Sequence, residues 1–216
     1  MAVIAAIEAG GTKFICGLGK ENGEVIERIS IPTTTPDETM RKVIEYFSDK
    51  EFDVMGVGSF GPIDPVKGSE TYGYITKTPK PYWSDFNMIG ELKKHFDVPM
   101  EFDTDVNGAA LAEAWWGAGE GLKNVMYITV GTGIGAGAVV NGRMVQGLTH
   151  PEMGHIFIKR HKDDKFEGRC PFHKDCLEGM AAGPAIEARW NKKGIELADR
   201  TEVWEMEAYY LAQALI

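Results

Sequence analysis

Residues 2–18 read AVIAAIEAGGTKFICGL: an apolar strand, a reversal at Glu8-Ala9-Gly10-Gly11-Thr12-Lys13, and a second apolar strand. An Asn22-Gly23 turn then leads into Glu24, Val25 and Ile26. Residues 125–140 read VMYITVGTGIGAGAVV and repeat that order, with the reversal at Gly131-Thr132-Gly133-Ile134-Gly135 and an Asn141-Gly142 turn before Arg143, Met144 and Val145. Asn-Gly between apolar runs is a strong hairpin signal. Two matching β units, each with a Gly/Thr reversal in the same place, predict a duplicated fold gripping one ligand between its halves. Without Cβ atoms a reversal takes positive φ and lets backbone N–H groups come close to a ligand. Several such groups beside a threonine hydroxyl form a nest suited to phosphate. Plain tight hairpin turns would look the same in either copy alone; their recurrence favours the phosphate reading.

Between the repeats, strands and helices alternate. Thr35-Pro36-Asp37-Glu38 reads as a capping box with proline at the first helical position, and Met40, Val43, Ile44 and Phe47 follow at helical spacing. Residues 54–58 read as a buried strand, 87–95 as a helix and 98–102 as a strand. Three antiparallel strands followed by helix, strand, helix, strand predict an α/β unit with helices on both faces of a mixed sheet. The second half begins alike, but after a short segment at Ile156, Phe157 and Ile158 come a polar loop and helical patterns at 182–191 and 202–216, without matching later strands. The last helix ends without a capping signal, with Leu211, Leu215 and Ile216 on an apolar face. The expectation is two lobes, 1–117 and 118–216, the second truncated.

The chain has 216 residues and a net charge of -9, which argues against a nucleic-acid surface. No basic segment precedes the first strand, and no apolar run approaches the roughly 18 residues of a membrane-spanning helix. A cytoplasmic protein is the expectation.

Two groups carry chemistry. Asp105, in Asp103-Thr104-Asp105-Val106-Asn107-Gly108, sits where a strand meets the helix running to Trp116. A carboxylate at a helix N-terminus is favoured by the dipole and free N–H groups. It is suited to accept the proton of an attacking hydroxyl, although taken by itself this position reads first as a simple N-cap. Cys170, His173 and Cys176, with His155 upstream, supply two thiolates and two imidazoles, the complement of a closed tetrahedral zinc site. A Cys170–Cys176 disulfide is the alternative. Cys16, alternating on a strand, reads as a core residue.

Taken together, the Glu8 to Lys13 reversal, Gly61-Pro62, Thr104-Asp105-Val106-Asn107, the Gly131 to Gly135 reversal, Pro151-Glu152-Met153-Gly154-His155 and the Cys/His cluster resemble a sugar kinase of the ROK family (repressor, ORF, kinase). The Thr-Pro-Lys-Pro-Tyr-Trp run at 78–83 and the cysteine spacing are most similar to its zinc-containing bacterial fructokinases. The resemblance implies an actin-like, ribonuclease-H-like two-lobed fold with hexose and MgATP bound between the lobes. It makes Asp105 the general base and Gly10, Gly11 and Thr12, with Lys13, and Gly131, Thr132 and Gly133 the ATP-phosphate loops. Glu8 matches an aspartate associated with Mg²⁺. The sugar-contact positions are Gly61, Thr104, Asp105, Glu152, His155 and Glu178, where position 104 is Asn in many relatives. His155 would join the zinc site to the sugar pocket. The family's kinases run longer by about a quarter and are often dimers. The resemblance thus implies phosphorylation of a hexose, foremost D-fructose; glucose, mannose or an N-acetylated amino sugar, or sugar binding without turnover, are the alternatives. A family repressor would need a DNA-binding segment ahead of the first strand, where this sequence has no room.

Overall fold

The chain, described over residues 2–215 by a computed structural model, opens as an antiparallel meander of β1 (Val3–Ala9), β2 (Lys13–Lys20) and β3 (Val25–Pro32). There follow α1 (Pro36–Phe47), β4 (Val54–Ser59), a small hairpin of β5 (Tyr74–Ile75) and β6 (Phe86–Asn87), α2 (Met88–Lys93), β7 (Met100–Thr104) and α3 (Asp105–Trp116). β4 pairs parallel to β1, and β7 parallel to β4, giving one sheet in the order β3-β2-β1-β4-β7. This is the mixed sheet that the strand order in the sequence predicts.

Alternation decides what each face does. Ala5, Ile7 and Ala9 of β1 point with Phe14, Cys16 and Leu18 of β2 and Met55 and Val57 of β4 into one core, closed by Met40, Val43 and Phe47 of α1 and Met88, Ile89 and Leu92 of α2. Burying a large apolar side chain is worth about 1.5–3 kcal/mol, so this face holds the sheet to its helices. Cys16 lies fully within it, and burial pushes its thiol up to about 12. Trp83, the last residue of the 78–83 run, is also fully buried, its ring centroid 5.3 Å from that of Phe14 and its indole N–H on the Thr34 carbonyl at 2.8 Å. α3 lies on the opposite face: a Cβ at Gly58 would meet Asp105 Cα at 3.3 Å.

Helix starts differ in detail from the sequence expectation. Thr35 caps α1 by accepting from the Glu38 N–H at 3.4 Å, with Pro36 at the first turn. The Glu38 carboxylate, however, takes the Thr34 hydroxyl and Lys42 ammonium, each at 2.8 Å, so only half of the capping box forms.

The second half continues with β8 (Asn124–Val130), β9 (Ile134–Val140) and β10 (Arg143–Met144), whose order β10-β9-β8 repeats β3-β2-β1. Asn141 and Gly142 both have positive φ, 50° and 76°, as the tight Asn-Gly turn requires. Then come α4 (Leu177–Ala181), α5 (Gly183–Trp190) and α6 (Thr201–Ala212). The segment at 156–158 forms no strand, only a bridge from Phe157 to Cys176. The last helix does find a cap: α6 ends at Ala212, and Gln213 Nε2 donates to the Tyr209 carbonyl of the last turn at 3.2 Å, while the same side-chain amide takes the N–H and the carbonyl of Lys159 at 2.7 and 3.1 Å. Leu215 is exposed, and Ile216 lies outside the described residues.

Two compact units result. One comprises the residues up to Tyr127 together with Gly137–Pro151; the other comprises Ile128–Ala136 and the residues from Glu152 onward. No helix of the described residues is long and apolar enough to cross a membrane.

Candidate active site and metal centre

In the first unit, the reversal between β1 and β2 carries Gly10, Gly11, Thr12 and Lys13. Gly10 donates its N–H to the Lys13 carbonyl at 3.0 Å, and a Cβ there would stand 2.7 Å from that oxygen. Glycine is needed here for space; the expected positive φ is found at neither Gly10 nor Gly11. Gly11, Thr12 and Lys13 are exposed, as is Glu8 on the β1 face turned away from the core. Thr33 braces the loop through its hydroxyl on the Gly10 carbonyl at 2.7 Å.

Thr104, and not Asp105, is the N-cap of α3: its hydroxyl oxygen accepts the Asn107 N–H at 3.1 Å. The alternative reading of Asp105 as a simple cap is thereby corrected. Asp105 is the first helical residue, its Oδ1 accepting the Val106 N–H at 2.9 Å. Thr104 itself is buried, its oxygen engaged in the cap. Gly61 stands at a cis Gly61–Pro62 bond, and the next residue, Ile63, donates its N–H to His150 Nε2 at 3.1 Å.

In the second unit, the Gly131-Thr132-Gly133 reversal closes with the Gly131 N–H on the Gly133 carbonyl at 2.9 Å, as the first reversal closes on Lys13. Glu178, in the first turn of α4, accepts the Ile134 N–H at 3.0 Å through Oε2. Its Oε1 lies 4.0 Å from His155 Nε2. Glu152 precedes a 3-10 turn over Met153–His155.

His155, Cys170, His173 and Cys176 come together with their ligand atoms within 4.8 Å of one another. His155 Nδ1 is 3.6 Å from Cys170 Sγ and 3.5 Å from Cys176 Sγ, and His173 Nδ1 is 3.8 Å from Cys170 Sγ. A tetrahedral zinc with bonds of about 2.0–2.3 Å separates its ligand atoms by about 3.3–3.8 Å, so these three His–Cys separations, and the donor chemistry of all four residues, suit zinc. Both cysteines are free thiols. Burial pushes the Cys176 thiol up to about 11, so a cation binding there would displace its proton. His155 presents Nδ1 to the thiols and Nε2 toward Glu178, the carboxylate–histidine arrangement that orients metal ligands.

Two surface concavities, of about 510 and 310 Å³, hold none of these residues; the larger is lined by the exposed Trp115 and Trp116.

A profile of the ROK family matches residues 4–216. The chain belongs to the ROK family. A putative fructokinase of Bacillus subtilis (strain 168) is 56% identical to this ROK protein over 213 residues, which is 99% of this chain and 71% of that protein. The fructokinase of Streptococcus mutans serotype c is 48% identical over 216 residues, covering 98% of this chain and 73% of its own length. Among solved structures, the ROK hexokinase from Thermus thermophilus matches with a TM-score of 0.78 at 24% identity, over 99% of this chain and 76% of that one. The fold is therefore the actin-like α/β fold of ROK kinases, built on a mixed five-stranded sheet.

Sequence reasoning missed two polar groups in this ROK chain. In the second unit, Asp164 takes Arg189 Nε at 3.1 Å and the Tyr210 hydroxyl at 2.6 Å, while Arg189 Nη2 reaches the Met180 carbonyl at 2.6 Å. This buried set ties the polar loop ahead of Cys170 to α4, α5 and α6. In the first unit, Asp103 accepts from Asn107 and from Gln146. Neither set has a spacing that marks it, since each partner lies on a different element.

Proposed function

We propose that this ROK protein is a cytoplasmic, ATP-dependent hexose kinase that converts D-fructose to fructose 6-phosphate. The observation that carries the reading is the 56% identity, over nearly the whole chain, to a protein described as a putative fructokinase. In this reading the 6-hydroxyl oxygen bonds to the γ-phosphorus of ATP, its proton passes to the Asp105 carboxylate, and the bond from phosphorus to the bridging oxygen breaks to leave ADP. Such a transfer asks for in-line placement and neutralised charge more than for covalent help. The capping by Thr104 supports the base assignment, because the Asn107 N–H is satisfied without the Asp105 side chain.

The two Gly/Thr reversals, Gly10 to Lys13 and Gly131 to Gly133, would present to the phosphates backbone N–H groups other than those of Gly10 and Gly131, which close the reversals, and Glu8 would hold the Mg²⁺ that accompanies the nucleotide. Gly61, Thr104, Glu152, His155 and Glu178 serve the sugar. Lobes 1–117 and 118–216 divide these tasks. His155, Cys170, His173 and Cys176 would hold a structural Zn²⁺, which fixes the loop that delivers His155 and Glu178. Assembly as a homodimer belongs to the same reading and is checked by sedimentation.

The test is ADP formation by the 216-residue chain with MgATP and a panel of fructose, glucose, mannose and N-acetylated amino sugars, beside Asp105→Asn. Turnover selective for fructose is expected, with Asp105→Asn keeping sugar affinity and losing about 10²–10⁴-fold in kcat. Near-normal turnover by the variant overturns the base assignment. Preference for another hexose overturns the sugar, and sugar binding without turnover makes this chain a binding module.

A further inference from the structure

We propose that Asp103 is a positioning residue for Asp105, and that Gln146 is its working partner: together they lock the first turn of α3 to the segment that follows β10. Only the part concerning turnover rests on the kinase reading.

Asp103 is the penultimate residue of β7 and is 9% exposed. Both carboxylate oxygens are engaged. Oδ1 accepts the Thr104 N–H at 2.7 Å and the Asn107 side-chain amide at 2.8 Å; Oδ2 accepts Gln146 Nε2 at 3.2 Å. Asn107 is 1% exposed, and its own N–H is held by Thr104. Asp105 thus lies between two residues, 104 and 107, that are both tied to one carboxylate. All three donors to Asp103 are uncharged amides, so the carboxylate supplies direction where an ion pair would supply charge compensation. Its register neighbour on β4 is Gly58, which has no side chain with which to brace it. Gln146 comes from 43 residues further along the chain, and His150 in the same segment accepts from Ile63, so the segment grips both the α3 start and the Gly61 turn. A shift of about 1 Å at a catalytic group costs on the order of 10²-fold in rate, which is the leverage available to such a brace.

The test is a reciprocal exchange of donor and acceptor. Gln146→Glu sets a carboxylate against Asp103. The double variant Asp103→Asn/Gln146→Glu restores the pair, since the asparagine amide can donate to the glutamate while its oxygen still accepts from Thr104 and Asn107. Amide hydrogen exchange at 106–108 and steady-state kinetics with fructose and MgATP are measured on the 216-residue chain. In Gln146→Glu, exchange at 106–108 is expected to rise by about ten-fold and kcat to fall by about 10²-fold, with the KM for MgATP and the melting temperature nearly unchanged. The double variant is expected to return both to within roughly three-fold of the parent. Unchanged exchange in Gln146→Glu overturns the proposal, whether or not the chain phosphorylates sugar. A kcat loss that tracks a lowered melting temperature, or that the double variant fails to recover, reduces Asp103 to fold support and also overturns it. If the parent turns over no hexose, the kinase reading fails by itself and the exchange result still decides the linkage.

Discussion

Glu207→Gln is expected to change how stability depends on pH, and the size of the change follows from where Glu207 sits. It lies on α6 and is 6% exposed, and its Oε1 has no hydrogen-bond partner among the described residues. The cation that acts on it is Arg189, which is already engaged by Asp164 and the Met180 carbonyl. Burial therefore outweighs the attraction of Arg189 and pushes the Glu207 carboxyl up from 4.5 to about 7. The native chain then holds a proton that the unfolded chain has lost between these two values, so this site's contribution to stability falls as pH rises from 4.5 through 7. A difference of about 2.5 units corresponds to about 3 kcal/mol once pH is well above 7, an upper bound given local relaxation. Glutamine keeps the shape and cannot ionise. Relative to the parent, the variant should gain up to about 3 kcal/mol between pH 4.5 and pH 8, or on the order of 6–10 °C in melting temperature for a chain of this size. Denaturant titrations of both proteins at several pH values measure it, and taking the difference cancels every other titrating group, the histidines of the metal cluster included. A difference that stays constant between pH 5 and pH 8 would refute the burial argument.

Three further outcomes are checked with standard measurements. Removing metal with a chelator should lower the melting temperature and the hexose affinity together, since zinc binding in zinc-finger peptides is worth about 10–16 kcal/mol; a melting curve that does not move would count against a structural zinc at His155, Cys170, His173 and Cys176. Gly137→Ala would place a Cβ 2.2 Å from the Val106 carbonyl oxygen and 2.7 Å from the Asn107 nitrogen, both backbone atoms of the first turn of α3. It should destabilise by about 1–3 kcal/mol and reduce kcat; parent-like melting and turnover would show that β9 and α3 have slack. Asp164→Ala leaves the Arg189 side chain, 7% exposed, without its carboxylate, and should cost about 3–5 kcal/mol by denaturant titration. A loss under 1 kcal/mol would mean that water replaces the pair.

Local chemistry decided much of this protein in the sequence alone. The strand–reversal–strand repeat, the Asn141-Gly142 turn and the Thr35-Pro36 helix start depend on residues within a few positions of one another, and all are present in the structure. The metal cluster was legible because thiolates and imidazoles declare their chemistry whatever fold brings them together, and Cys16 was legible as core because strands alternate. Other features were decided only by tertiary structure. Thr104 displaced Asp105 as the cap because the actual helix start depends on which side chain reaches the Asn107 N–H. Gly10 proved necessary for the approach of the Lys13 carbonyl, where the sequence pointed to positive φ. Gln213 caps the Tyr209 carbonyl of a helix that had no capping signal, its amide held in place by the backbone of Lys159, 54 residues earlier. Asp103 with Gln146, and Asp164 with Arg189 and Tyr210, are hydrogen-bonded sets drawn from separate elements. Such contacts have no period and no spacing; they exist only once packing has brought buried polar groups close enough that each must find a partner or remain unsatisfied.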